Sequence, residues 1–167
     1  MSKQKPKIML DPGHGGIDPG AIAFGLKEKH LTLTIAKEIR YLLLQNYQVQ
    51  VKMTREKDEF VELSERAKMA NRWGADYFLS IHVNAGGGTG FESYIHHSRR
   101  PETVKLQKAI HPSIVEAQGV RDRGMKFANF AVLRETRMPA LLTENLFVDH
   151  RQDAEKLRDA TFLKKAA

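Results

Sequence analysis

Ile8-Met9-Leu10-Asp11-Pro12-Gly13-His14-Gly15-Gly16 is an apolar run that ends in a histidine set between glycines. Tyr77-Phe78-Leu79-Ser80-Ile81-His82-Val83-Asn84 is a second run with a histidine near its end. Each histidine falls where a buried strand releases its chain into a loop, and that rim is where open α/β folds bind ligands. Two imidazoles on one rim suggest a metal. The chain contains no cysteine, so only His, Asp, Glu and water are available to hold one. A catalytic zinc takes three protein ligands and keeps one position open, and two histidines with a glutamate are one such set. Glu28, at the start of the first helical segment, is the best-placed third ligand. It also suits a helix N-terminus with no metal at all. Asp11 and Asp18 are rivals, and Asp11 equally well orients His14 from behind. Glu144 lies in Ala140-Leu141-Leu142-Thr143-Glu144-Asn145-Leu146-Phe147-Val148, where a carboxylate costs free energy unless it has a partner. Beside a metal it reads as a general base; away from one, it is a strand-end glutamate facing water.

The glycines around His14 exclude two other chemistries. A dinucleotide fingerprint needs a third glycine where this chain has Asp18, and a P-loop needs Gly-Lys-Ser/Thr. What remains is a turn in which glycine lets a ligand come close.

The elements that would position these residues alternate in period. Residues 7–10 read as a short buried strand. Residues 28–46 read as a helix, with Leu31, Ile35, Ile39 and Leu42 on one face. Val49, Val51 and Met53 alternate as a strand. Ser64 caps a helix running to about Trp73, with Ala67, Ala70 and Asn71 inward, and Gly74 ends it. Residues 77–83 are a fully buried strand, and Phe91 to Ile95 another. Residues 101–118 are helical, with Val104, Ile110, Ile114 and Val115 as core positions and Pro112 expected to kink or break them. Residues 131–134 and 140–148 are the last strands, and 150–165 a final helix. The alternation predicts an α/β domain, a mostly parallel sheet covered by helices on both faces.

At 167 residues and 41% apolar content, one domain buries most of its apolar surface. No apolar run approaches the roughly 20 residues of a membrane helix, and the run after the basic start is too short for a signal peptide. The net charge of +7 favours a polyanionic partner. Zinc-finger and aromatic RNA-binding signatures are absent, so nucleic acid is not expected, and an anionic wall polymer fits the charge equally. Phe162-Leu163-Lys164-Lys165-Ala166-Ala167 has no C-cap, as if cut from a longer chain.

Leu10 to Ala21, as Leu-Asp-Pro-Gly-His-Gly-Gly-Ile-Asp-Pro-Gly-Ala, resembles the opening motif of the zinc-dependent N-acetylmuramoyl-L-alanine amidases of the type-3 family. Gly25-Leu26-Lys27-Glu28, Thr54-Arg55, Leu63-Ser64-Glu65-Arg66, Ser80 to Ala85 and Arg123 to Arg134 follow in the family's order. The resemblance covers about residues 6–163. It implies a six-stranded sheet in a single catalytic domain spanning residues 1–167, with one zinc ion on His14, Glu28 and His82 and Glu144 as catalytic residue. The implied reaction is hydrolysis of the amide between N-acetylmuramic acid and the L-alanine of the stem peptide. Asn84, Arg123, Lys126 and Asn129 are candidate substrate contacts. Many members follow the catalytic glutamate with a small residue and then Gly-Phe; this chain has Asn145-Leu146-Phe147, closer to endolysin-like members.

Peptidoglycan is the expected partner and a monomer the expected state, with any wall-binding module outside this chain. Action is expected on the wall, after release by lysis or excision from a larger protein. The rivals are a zinc endopeptidase cutting within the stem peptide or cross-bridge, and a non-catalytic wall-binding module.

Overall fold

A computed structural model describes residues 4–167. Its centre is a six-stranded sheet in the order β4-β1-β5-β8-β6-β7. The strands are β1 (Lys7–Pro12), β4 (Gln50–Met53), β5 (Tyr77–Asn84), β6 (Phe91–Ile95), β7 (Asp122–Phe127) and β8 (Ala140–Phe147). Pairing is parallel from β4 through β8, β6 runs antiparallel to β8, and β7 pairs parallel with β6. Two short strands, β2 (Ile22–Ala23) and β3 (Leu26–Lys27), form a separate hairpin ahead of the first helix.

Alternation along the strands divides the core in two. Leu10, Ile81, Val83 and Leu146 face a cluster with Leu31, Ile35, Leu157 and Phe162. Those partners come from α1 (Glu28–Asn46), α5 (Arg151–Arg158) and α6 (Ala160–Lys165), and α3 (Pro101–Gln118) packs beside them. Met9, Phe78, Ala140 and Leu142 face the other cluster, with Ala70 and Val132. That side carries only α2 (Leu63–Trp73) and the single turn α4 (Ala131–Arg134). Four helices cover one face and little more than one the other. The less covered face is open, and His82 and Glu144 belong to it by strand parity.

Six expectations change. Residues 131–134 form a helical turn instead of a strand: Leu133 and Arg134 donate back to the Phe130 carbonyl. The sixth strand is β7, whose Asp-Arg-Gly-Met-Lys-Phe sequence lacks apolar alternation because it lies at the sheet edge and is half exposed. The last helix is two, since Asp159 breaks the pattern and caps α6 through the Thr161 N–H. Helix α3 runs unbroken through Pro112, which is exposed. Its buried positions are Thr103, Gln107, His111 and Gln118 instead of the expected aliphatics. The last three face Ser93 and Asn145: Gln107 Nε2 donates to Ser93 Oγ, Ser93 Oγ lies 2.8 Å from His111 Nδ1, and Gln118 Nε2 donates to Asn145 Oδ1. Helix α2 starts at Leu63 after Glu62, with no side-chain cap from Ser64.

Candidate functional site

His14 follows the end of β1, and its backbone sits in the left-handed region with φ of 61°. A histidine held there costs roughly 1–2 kcal/mol and persists only where its surroundings impose it. Two buried guanidinium groups impose it. Arg55 donates to the carbonyls of Pro12, Gly13 and Lys29, and Arg66 to those of Pro12 and His14. Arg66 is itself balanced by Asp11, at 2.8 Å with both side chains buried, and Asp11 also accepts from Thr54 Oγ1 and Ser80 Oγ. Asp11 is therefore the brace of the turn and does not touch His14. The residue that orients His14 is Asp18, whose Oδ2 lies 2.8 Å from His14 Nδ1. Sequence reading left Arg55 and Arg66 without a role, because an arginine in a motif does not announce that it is buried.

Glu28 is the first residue of α1, brought to the same rim by the β2–β3 hairpin; its N–H donates to the Ala21 carbonyl. Its carboxylate is buried and takes N–H groups from Ala21 and Val83. Glu28 Oε2 lies 3.1 Å from His14 Nε2, and Oε1 lies 3.0 Å from His82 Nδ1. The two imidazoles stand edge to face with centroids 5.0 Å apart. Ligand atoms on a tetrahedral zinc with bonds of about 2.0–2.1 Å sit about 3.3 Å from one another. The three side chains offer one ligand atom each, all within 4.8 Å, so the donor set fits a zinc ion in both chemistry and spacing. Gly13 is required beneath it, since a Cβ there would lie 2.3 Å from the His82 ring.

The charges are strongly coupled. Burial would raise the Glu28 carboxyl, but hydrogen bonds from His14 and His82 outweigh it and hold it well below the ordinary range. Burial would lower both imidazoles, and the Glu28 carboxylate, with Asp18 at His14 and Glu144 at His82, raises them instead.

Glu144 is in mid-strand, paired directly across β5 with His82. Its Oε2 is buried and has no hydrogen-bond partner among the described residues. Burial, opposed by His82 and reinforced by the negative charges of Glu28 and Glu92, pushes its carboxyl up to about 7. A buried, unpartnered carboxyl poised near neutrality suits proton transfer.

These groups border a cleft of about 570 Å³, walled on its apolar side by Phe60, Val61, Leu63, Phe130 and Val132. Asn84 is on its lip. Arg123 and Lys126 are on the edge strand β7, two strands beyond Glu144, both bound to Glu92 on the strand between. Asn129 accepts from Arg134 through its Oδ1. Of the other histidines, His96 and His97 follow the end of β6, His111 is buried against Ser93 and Asp122, and His30 is exposed. The buried Glu92 was missed; its one sequence signal was a glutamate in the apolar Phe91–Ile95 run.

A sequence model of the N-acetylmuramoyl-L-alanine amidase family matches residues 8–167. The chain is 55% identical over 162 residues to N-acetylmuramoyl-L-alanine amidase CwlM of Bacillus licheniformis, across 96% of this chain and 64% of the relative. It is 52% identical to the sporulation-specific N-acetylmuramoyl-L-alanine amidase of Bacillus subtilis (strain 168), with the same coverage. Identity to the endolysin of Bacillus phage SPP1 is 46%, across 96% of this chain and 61% of the endolysin. The chain thus spans somewhat under two thirds of each of these relatives. Among solved structures, an N-acetylmuramoyl-L-alanine amidase from Clostridium difficile 630 superposes with a TM-score of 0.94 at 33% identity, covering 97% of this chain and 90% of that one.

Proposed function

The chain belongs to the N-acetylmuramoyl-L-alanine amidase family, and from that membership we propose that it is a zinc-dependent catalytic domain. It hydrolyses the amide joining N-acetylmuramic acid to the L-alanine of the peptidoglycan stem peptide. The observation that carries this reading is the His14–Glu28–His82 cluster with the unpartnered Glu144 carboxyl directly across the strand from His82.

His14, Glu28 and His82 would hold the metal. Zinc in such a site supplies Lewis acidity toward the scissile carbonyl and lowers the pKa of water toward about 7. Asp18 fixes the His14 ring so that Nε2 faces the site, and Arg55 and Arg66 keep its backbone in place. Glu144, as carboxylate, takes the proton of the attacking water and returns it to the departing L-alanine amine. General acid–base catalysis of this kind contributes about 10²–10⁴-fold. Asn84, Arg123, Lys126 and Asn129 bind the substrate. The enzyme works as a monomer on the cell wall. Among the described residues no helix is long and apolar enough to cross a membrane.

Mass spectrometry of digested peptidoglycan tests the bond. Stem peptides released with a free N-terminal L-alanine are the expected product. Cleavage further along the peptide would make it an endopeptidase, and binding without cleavage a wall-binding module.

A further inference from the structure

His82, Glu144 and Glu92 stand directly opposite one another on β5, β8 and β6, three ionisable residues in a row across adjacent strands. Glu92 is the residue with no role in the reaction above. It is 3% exposed, and four side chains donate to it. Asn84 Nδ2 and Tyr94 OH reach its Oε1, both at 2.7 Å. Arg123 Nε at 2.8 Å and Lys126 Nζ at 2.5 Å reach its Oε2. Burial would raise its carboxyl, but the hydrogen bonds from Lys126, Arg123 and Tyr94 outweigh this and bring it down to about 2. It is ionised at any working pH.

Two cations on one carboxylate leave a surplus positive charge. Arg123 gives Glu92 only its Nε; its guanidinium lies 4.7 Å from the Phe147 ring centroid, and its terminal nitrogens have no protein acceptor among the described residues. Lys126 commits one of three protons, and its side chain is about a third exposed. Apart from the metal that the amidase reading places on His14, Glu28 and His82, the cleft beside them offers an anion little. It is lined by the carboxylates Asp18, Glu28, Glu62 and Glu144, and its one lining cation, Arg66, is consumed by Asp11 and backbone carbonyls. Neighbouring strands are about 4.8 Å apart, and an extended peptide advances about 3.3 Å per residue. Arg123 and Lys126 lie on β7, two strands from Glu144, but their charged ends are bound to Glu92 on β6, one strand away. Those ends thus stand about one or two residues of extended chain from a bond held at Glu144.

Resting on the amidase reading, we propose that Glu92 is the positioning residue of a carboxylate subsite, in which Arg123 and Lys126 receive a free carboxylate of the stem peptide. Without the central anion the two cations repel and splay. With it they present a fork beside the reacting bond, and guanidinium groups suit carboxylates through paired charge-assisted hydrogen bonds.

The test is calorimetric binding to the Glu144→Gln protein, with N-acetylmuramoyl-L-alanyl-D-glutamate and its fully amidated counterpart as probes. The acid binds about tenfold more tightly than the amide, as a charge-assisted pair requires. Adding Glu92→Gln reduces that preference to under about twofold without altering the circular dichroism spectrum, and Glu92→Asp restores part of it. Equal affinity for acid and amide, or a preference undiminished by Glu92→Gln, overturns the subsite. Should Glu92→Gln fail to fold, Arg123→Ala with Lys126→Ala decides in the same way. Charge discrimination in a wild-type protein that cuts no muramoyl amide refutes the amidase reading alone; cleavage indifferent to substrate charge refutes the subsite alone.

Discussion

Glu144→Gln separates the two consequences of placing a carboxyl in an apolar strand. The buried carboxyl sits at about 7 in the fold against 4.5 for an ordinary glutamate. A raised acid stabilises the fold below about pH 4.5, where both states are neutral, and that contribution is lost as the pH rises through about 7. The gap, at about 1.4 kcal/mol per pH unit, gives a ceiling of about 3 kcal/mol in favour of the neutral glutamine at pH 8. Rearrangement around the ionised group takes part of it, leaving an expected gain of about 1–2 kcal/mol. In a chain of this length each kcal/mol moves the melting temperature by about 2–4 °C. Chelated parent and variant, melted at pH 4.5 and pH 8, should therefore melt together at the lower pH, with the variant several degrees higher at pH 8. The same variant, given zinc, should keep the metal and lose about 10²–10⁴-fold in turnover. A variant less stable at pH 8, or one with near-parental turnover, refutes the assignment of Glu144 as a strained general base.

Other expectations follow from the bracing of the site. Asp11→Ala leaves the buried Arg66 guanidinium uncompensated and should cost about 3–5 kcal/mol in urea unfolding. Asp18→Asn removes the carboxylate behind His14, so zinc affinity measured by competition with a chelator should fall about 10–100-fold with the fold intact. Leu146 is buried in the core at φ of 68°. Leu146→Ala should cost about 2–5 kcal/mol for the cavity, yet Leu146→Gly should be more stable than Leu146→Ala by about 1 kcal/mol, reversing the usual order, because only glycine takes this backbone without strain.

The positions of His14, Glu28 and His82 were legible because strand ends and helix starts are written in hydrophobic period, and the sheet's parallel half followed from the same alternation. The legibility failed where burial and period part company. Ala131-Val132-Leu133 looks like a strand yet forms a helical turn packed beside α2. Residues Asp122–Phe127 look like loop and form an edge strand that needs only one partner. Helix α3 was placed correctly but turned, because its inner face carries a polar network with Ser93 and Asn145. Arg55, Arg66 and Glu92 were unreadable as buried residues for one reason. Each depends for its burial on partners far away in sequence, such as Asp11 for Arg66 and Lys126 for Glu92.

The central claim is that one metal on His14, Glu28 and His82 drives the reaction. Its most direct test is to strip the protein with chelator, return zinc in steps, and follow the clearing of purified peptidoglycan alongside bound metal. Clearing should vanish on stripping, return in proportion to zinc and level off at one ion per chain, with His82→Ala neither binding nor clearing. Clearing that survives stripping, or a His82→Ala protein that still binds one zinc and works, would contradict the account.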